Sequence, residues 1–184
     1  MLMSPTPSAQ AVTFSGTTVG APTWNRPVAN DPNPPTVLSG TTVSYSKYDF
    51  TVDTSGSYDF GSVGINPFLW DNYTFLYKNS FNAANPLANT IIGNDNLFGI
   101  TGLSGFTGVA LTTGTNYFFV TTGKSSTDTG SFLNSITGPG SVSQGSIAAV
   151  PEPATILGSL MAFGYGAYSR RRIKITQSIE KKTV

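Results

Sequence analysis

The chain has 184 residues, of which 39% are hydrophobic, 12% aromatic and 10% charged, and its formal net charge is +1. This length accommodates one ordinary domain with short appendages and excludes two full-sized domains. The sequence contains no Cys, which excludes disulfides and thiolate metal sites. Frequent Thr, Val, Phe and Tyr, with Gly and Pro at short intervals, predict β-structure.

The charge is distributed unevenly along the chain. Residues 151–184 carry six Lys or Arg against two Glu, a net charge of +4, whereas residues 12–150 carry four Lys or Arg against seven Asp, a net charge of −3. Affinity for a phosphate backbone comes from many Lys and Arg contacts, which a weakly acidic body does not offer. We therefore expect no nucleic-acid partner.

Residues 1–11 end in Ala9-Gln10-Ala11, the small-x-small pattern that signal peptidase cuts after. No charged stretch and no apolar stretch precede this pattern in the sequence. We interpret residues 1–11 as the remnant of a signal peptide whose translation start lies upstream. The alternative is a Pro-containing start of a cytoplasmic protein.

Residues 12–35 are predicted to form an N-terminal extended segment, because residues 29–35 hold three prolines among Asn and Asp. The main domain is expected over residues 36–140. It opens with an apolar-polar alternation from Val43 to Val52 whose phase slips once near Lys47, which predicts a strand. Turn-forming residues 53–56 then predict a hairpin that places residues 48–50 and 58–60 in facing arms.

Further strands are predicted over residues 73–77, 90–92, 98–103, 108–111, 116–121 and 131–137. Short strands separated by turn signals favour an all-β fold, an antiparallel jelly-roll-like β-sandwich, over a parallel α/β sheet. Aromatic residues should supply much of its core. They are Tyr45, Phe50, Tyr58, Phe60, Trp70, Phe75, Tyr77, Phe106, Tyr117, Phe119 and Phe132.

After this domain the composition of the chain changes twice. Residues 141–150 are rich in Ser, Gly and Ala, which predicts a flexible linker. The mainly apolar run over residues 154–169 is shorter than the roughly twenty residues that cross a hydrocarbon core without strain, but it contains no charge. We predict a C-terminal hydrophobic helix there. The cluster Arg170, Arg171 and Arg172 then fits the positive charge kept on the cytoplasmic side, with residues 173–184 as a cytoplasmic tail.

The stretch Val150-Pro151-Glu152-Pro153-Ala154, the apolar run and the Arg cluster together resemble the PEP-CTERM protein-sorting signal of bacteria. The resemblance implies that residues 151–172 are recognised by an exosortase, an integral-membrane cysteine transpeptidase-like enzyme. Pro151, Glu152 and Pro153 would be the recognition and processing site, and Arg170 to Arg172 the cytoplasmic stop. Such tails usually end soon after the arginines, whereas this chain continues to Val184.

By the same resemblance, the cargo would be exported, held transiently in the inner membrane and then released to the cell surface or extracellular matrix. The alternative is an ordinary stop-transfer anchor that leaves the protein permanently in the membrane.

The body also resembles the bacterial pre-peptidase C-terminal domain. The landmarks are Tyr48-Asp49-Phe50-Thr51-Val52 with Gly56-Ser57-Tyr58, Trp70-Asp71 leading into Phe75-Leu76-Tyr77, and Leu111 with Gly114-Thr115-Asn116-Tyr117. The resemblance implies a jelly-roll-like adhesive or accessory module, sometimes calcium-stabilised, that is not a catalyst.

The residues of the body point the same way, because residues 12–150 contain no His, Cys or Glu. This removes the usual general bases, thiol nucleophiles and imidazole ligands. Asp pairs could still serve glycoside hydrolysis, a hypothesis that we do not favour. We expect that the protein is not an enzyme.

Two ligand hypotheses remain. The oxygen-rich residues Asp71, Asn94, Asp95 and Asn96 are candidate calcium ligands, although Asn and Asp are commonest in plain turns. Trp24 and Trp70 are candidates for exposed aromatic surfaces that contact polysaccharide. The sequence thus predicts an exported, non-catalytic surface or matrix protein, with a calcium-dependent carbohydrate-binding module as the alternative.

Overall fold

The computed structural model describes residues 9–29, 33–66 and 70–145. Within these ranges the chain is all-β, as predicted, with a single short 3-10 helix at Leu97–Gly99. The strands are β1 Gln10–Thr17, β2 Thr23–Pro27, β3 Leu38–Val52, β4 Gly56–Asn66, β5 Asn72–Lys78, β6 Thr90–Asn94, β7 Leu103–Leu111, β8 Tyr117–Gly123, β9 Ser131–Gly138 and β10 Val142–Gln144.

The strands form two antiparallel sheets. One has four strands in the order β1-β9-β4-β7, and the other has six, with β10-β3-β8-β5-β6 in order and β2 also paired to β3. Side chains from both sheets meet in an inner core, so the sheets pack face to face as in a sandwich. Its buried members are Phe50, Val52, Tyr58, Phe60, Leu76, Phe106, Leu111, Tyr117, Phe119 and Ile136.

A second hydrophobic cluster, the outer core, lies on the other face of the six-stranded sheet. Its buried members are Trp24, Val43, Tyr73, Phe75, Tyr77, Phe118 and Val120. Trp24, from β2, places its ring 5.6 Å from Phe75 and 5.5 Å from Phe81 in edge-to-face arrangements. Its indole Nε1 donates a hydrogen bond to Thr122 Oγ1 over 3.0 Å. β8 is consequently buried on both faces along its whole length.

The outer core explains the phase slip in β3. Val43 and Tyr45 pack into the outer core, whereas Tyr48, Phe50 and Val52 pack into or against the inner core. Successive side chains of a strand point to opposite faces, so odd and even positions serve different cores without a break in the strand. The slip near Lys47 marks the place where the apolar residues change face.

Three pairs of polar side chains cross the inner space between the sheets. Asn72 Nδ2 donates to Ser62 Oγ over 2.8 Å, and Asn134 Nδ2 donates to Thr121 Oγ1 over 2.9 Å. The hydroxyl oxygens of Thr74 and Ser104 lie 2.7 Å apart. All six side chains are buried, and each pair satisfies one polar atom of each partner. We call these residues the buried polar layer. Asn72 Oδ1 and Asn134 Oδ1 have no hydrogen-bond partner among the described residues.

The predicted hairpin at residues 53–56 is wrong. β3 pairs with β2, β8 and β10, whereas β4 pairs with β7 and β9, so the connection passes from one sheet to the other. Phe50 and Phe60 meet across the sandwich, with ring centroids 6.0 Å apart. The Tyr58 hydroxyl donates to the Thr54 carbonyl over 2.7 Å and stabilises the connection between β3 and β4.

Several predicted boundaries also differ from the structure. Residues 12–35 are not a segment outside the domain, because β1 pairs with β9 and β2 pairs with β3. The predicted linker at residues 141–150 begins with β10, which pairs with β3. The strand expected at residues 98–103 is instead the 3-10 helix and a turn, with Phe98 in a left-handed conformation at φ 56°.

The predicted aromatic core is confirmed, since all of its members are buried except Tyr45, which is partly buried. No helix in the described ranges is long and apolar enough to cross a membrane. The predicted C-terminal helix and the tail after it lie outside those ranges.

The outer core predicts that Trp24→Ala destabilises the domain although Trp24 lies in the predicted N-terminal extended segment, outside the predicted main domain. Truncation of a buried Trp removes its packing and leaves Thr122 without the indole donor, which should cost about 3–5 kcal/mol of unfolding free energy. Urea unfolding of the full chain measures this. The exposed neighbour Thr23→Ala is the control and should change stability by about 0.5 kcal/mol or less. If Trp24→Ala lowers the unfolding free energy by as little as the control does, the result would contradict the packing of Trp24 in the outer core.

Candidate functional site

The structure brings five charged or polar residues together at one end of the six-stranded sheet. Asp71 precedes β5, Asp95 follows β6 and Lys124 follows β8. Because β5 is antiparallel to both neighbours, its beginning lies beside their ends. The Lys124 ammonium is 3.1 Å from Asp71 Oδ2 and 3.8 Å from Asp95 Oδ2. With Arg26 and Tyr73 these residues form what we call the charged cluster.

Arg26 joins β2 to this end of the sheet. Its Nε donates to the Gly123 carbonyl over 3.1 Å, and its two terminal nitrogens donate to the carbonyls of Pro27 and Lys124 over 2.9 Å each. The guanidinium carbon lies 4.0 Å from the centre of the Tyr73 ring, a cation-π contact. Burial lowers the pKa of Arg26 from its usual value, which neighbouring negative charge partly offsets.

Burial also shifts the pKa of two acidic groups of the cluster, the Tyr73 phenol and the Asp95 carboxyl. It raises the pKa of Tyr73, and the hydrogen bond to the Asp95 carboxylate raises it further. Burial raises the pKa of Asp95 as well, although the Tyr73 hydrogen bond and the Lys124 charge act in the opposite direction. The hydrogen bond to Asp71 and the charge of Asp95 raise the pKa of Lys124. The ion pairs of Lys124 and the hydrogen bonds of Arg26 together tie β2 to three strand ends.

The predicted calcium ligands are brought together only in part. Asp71 and Asp95 share the Lys124 ammonium, whereas the Asn94 amide oxygen accepts a hydrogen bond from the Gly105 N–H over 3.2 Å. Asp71 Oδ1 and Asn96 Oδ1 are buried with no hydrogen-bond partner among the described residues. Among these residues no group of three or more acidic, His or Cys side chains converges.

The donor set does not fit calcium as it stands, because the Lys124 ammonium already pairs with both carboxylates, and we derive no role through the metal. Calcium binding stays a prediction.

The expectation that Trp24 and Trp70 present exposed aromatic surfaces is wrong. Their exposed fractions are 3% and 6%. Trp24 belongs to the outer core, and Trp70 Nε1 donates to the Ser131 carbonyl over 2.9 Å. A Cβ on Gly130 would lie 2.6 Å from the Trp70 ring. The indole therefore fits here because residue 130 is a glycine. Neither ring offers a face on which a sugar can stack.

Three members of the charged cluster were not singled out from the sequence. Arg26 is the one Arg in residues 12–150, which is an available signal, but it lies in the predicted N-terminal extended segment, outside the predicted main domain. Tyr73 reads as an ordinary strand aromatic, and Lys124 as one charge in a polar turn. The predicted sorting residues Pro151, Glu152 and Pro153, and Arg170 to Arg172, lie outside the described residues.

Comparison with known proteins yields no assignment. No protein-family model matches the chain, and no curated protein matches it significantly.

The raised pKa of Asp95 predicts a pH dependence of stability. Between the ordinary pKa of 3.8 and the raised value, the folded protein binds more protons than the unfolded chain. The stabilisation that the neutral carboxyl contributes is thus present below about pH 3.8 and is lost as the pH rises through the folded pKa. We expect wild type to lose stability relative to Asp95→Asn across this window, measured by urea unfolding at about pH 3.5 to 7.

Thr107→Ala, a neutral change at an exposed position of β7, serves as the control for this experiment and should give a pH-independent difference. A constant difference between wild type and Asp95→Asn over the same range would contradict the effect of burial on Asp95.

The position of Lys124 predicts how the cluster responds to calcium. In Lys124→Met the two carboxylates lose their shared ammonium, so Ca²⁺ should stabilise this variant more than wild type. The gain should be about 1.4 kcal/mol when free calcium is ten times the dissociation constant. Thermal unfolding with calcium or with EDTA measures it. Lys47→Met, which removes an ammonium 4.0 Å from Asp49, is the control. Equal stabilisation of wild type and Lys124→Met would show that Lys124 does not compete with calcium.

Proposed function

We propose that the chain is an exported, non-catalytic protein of the cell surface or extracellular matrix, delivered through a C-terminal Pro-Glu-Pro signal that an exosortase processes. One observation carries this proposal. Pro151-Glu152-Pro153, an uncharged apolar run and Arg170-Arg171-Arg172 follow one another in the order of the PEP-CTERM sorting signal. The protein resides transiently in the inner membrane through its C-terminal hydrophobic helix, and the body then leaves it.

The arrangement of the strands supports this division of the chain. The last described strand, β10, ends at Gln144, and the Pro-Glu-Pro stretch begins at Pro151. A cut at residues 151–153 therefore removes no strand and no core residue of the described fold. In this proposal the sandwich, with a jelly-roll-like topology, is the cargo, and the residues before Pro151 are the linker from which the signal is cut.

The assignment as non-catalytic is supported by the state of the acidic residues. Asp71 and Asp95 are both within 4 Å of the Lys124 ammonium, and Asp95 also bonds to Tyr73. Carboxylates that pair with an ammonium and a phenol hydroxyl in this way stabilise the contacts between strand ends. Residues 12–150 offer no His, Cys or Glu as an alternative base or nucleophile.

The rival function is a surface protein that stays anchored by the same apolar run. It differs from the main proposal in one measurable respect, because a permanent anchor keeps residues 170–184 on the mature protein. No feature of the described residues favours the rival.

Mass spectrometry of the protein isolated from the cell surface distinguishes the two. We expect a mature form that ends near Pro151 to Pro153 and lacks Arg170 to Val184. Glu152→Ala should leave the tail attached, because it removes the charged residue of the recognition stretch. Glu180→Ala changes the other Glu of the tail and is the matched control, with processing as in wild type. A wild-type surface form that retains residues 170–184 would refute the sorting function.

A further inference from the structure

A cleft opens at one edge of the sandwich, where β1 and β9 of the four-stranded sheet face β3 and β10 of the six-stranded sheet. Its volume is about 170 Å³. We call it the edge cleft, and the lining residues that matter here are Phe14, Gly16, Ser46, Tyr48, Asn134 and Gln144. The charged cluster, by contrast, lies at the ends of β5, β6 and β8, and the cleft shares no residue with it.

The wall of the edge cleft contains a fixed aromatic pair. The rings of Phe14 and Tyr48 are stacked with centroids 3.7 Å apart and an angle of 16° between their planes. Phe14 also meets Phe119 of the inner core edge to face, at 6.4 Å. Because Phe14 comes from β1 and Tyr48 from β3, the stack bridges the two sheets. The wall is thus an apolar surface formed before any ligand arrives.

One residue that lines the edge cleft, Asn134, has a buried polar atom that lacks a partner. Asn134 is 1% exposed, and its amide nitrogen donates to Thr121 Oγ1 in the buried polar layer. Its carbonyl oxygen Oδ1 is buried and has no hydrogen-bond partner among the described residues. An unpaired buried acceptor costs about 1–3 kcal/mol. Because Oδ1 has almost no accessible surface, a ligand hydroxyl reaches it only when the Asn134 side chain turns toward the cleft, and the hydrogen bond then recovers that energy.

Gln144 adds a second amide at the mouth of the cleft. It is exposed, and in the sheet it is paired with Phe50, so its side chain lies on the face directed toward the inner core. Ser46 contributes a partly buried hydroxyl on β3. Amide and hydroxyl groups that both donate and accept suit a ligand with several hydroxyls.

The lining carries no charge directed at a ligand. Lys47 is the one charged residue among those that line the cleft, and its ammonium lies 5.1 Å over the Phe118 ring and 4.0 Å from Asp49. Phe118 belongs to the outer core, so this ammonium is on the opposite face of the sheet. The cleft therefore suits a neutral ligand.

The volume of the edge cleft limits the size of the ligand. A volume of 170 Å³ holds about five or six water molecules at about 30 Å³ each, and it is below the roughly 300–1,000 Å³ of sites for drug-sized ligands. This is room for one small ring. We propose that the edge cleft binds a single neutral sugar residue of a polysaccharide, with its apolar ring face against Phe14 and Tyr48 and its hydroxyls on Asn134 and Gln144. This inference rests on the proposed function, because it names the partner of the exported domain.

Nuclear magnetic resonance of the ¹⁵N-labelled full chain, held in mild detergent because of its apolar run, tests the proposal. The probes are glucose, galactose, mannose and the neutral polysaccharide dextran, with the acidic polysaccharide alginate for comparison. We expect saturable shifts of the Asn134 and Gln144 side-chain amide signals with at least one neutral probe. The assay does not involve tail processing, so its failure and failure of the sorting function are distinguishable.

Two variants locate the binding. Gln144→Ala removes one amide from the mouth and should weaken binding about 2- to 10-fold, the equivalent of one hydrogen bond. Ser46→Phe should fill the cleft and abolish binding. Ser143→Ala, on the same strand but the opposite face, is the matched control and should bind as wild type does. Because Gln144 is exposed, its variant should fold normally and keep the test valid even where Ser46→Phe does not.

The proposal is overturned if no neutral probe gives saturable shifts. It is equally overturned if Gln144→Ala binds the sugar with unchanged affinity, since the sugar would then lie elsewhere. Tighter binding of alginate than of every neutral probe would contradict the neutral character of the site.

Discussion

Burial of the six-stranded sheet on both faces is the constraint on which the rest of this structure depends. The central strands β5 and β8 send alternate side chains into the inner and outer cores, so neither strand has a solvated face. A sheet of this kind needs a cover on each side, because apolar side chains left in water forfeit the free energy of burial. The four-stranded sheet covers one face, and Trp24 on β2, with Phe81, covers the other.

The charged cluster and the buried polar layer follow from this arrangement. Because β2 lies over the outer core, Arg26 donates hydrogen bonds to the carbonyls of Gly123 and Lys124. Lys124 forms its ion pairs with Asp71 and Asp95 at the same end of the sheet. Between the sheets, three side-chain pairs let polar residues occupy part of an otherwise aromatic interior. Two of them leave a buried amide oxygen, that of Asn72 or Asn134, without a partner among the described residues, and Asn134 also lines the edge cleft.

Much of the fold could be predicted, and the errors share a cause. Alternation and turn residues located most strands, since these signals act between neighbours in sequence. The hairpin at residues 53–56 failed because turn chemistry does not state whether the next strand joins the same sheet or the facing one. Trp24 was misjudged for a similar reason, as a short strand among prolines gives no local sign that it covers a core. Of the candidate calcium ligands, Asp71 and Asp95 do come together, but sequence gave no sign that Lys124 lies between them.

By itself, the sequence determined the all-β class, the aromatic composition of the core, the lack of His, Cys and Glu in the body and the three-part order of the tail. These are properties of composition or of residues close together along the chain. Only the tertiary structure decided which face of β3 serves which core, where Arg26 and Lys124 meet the acidic residues, and that an edge cleft lies between β1 and β3. Each of these depends on pairing between strands far apart in sequence, such as β1 with β9, which local patterns do not encode.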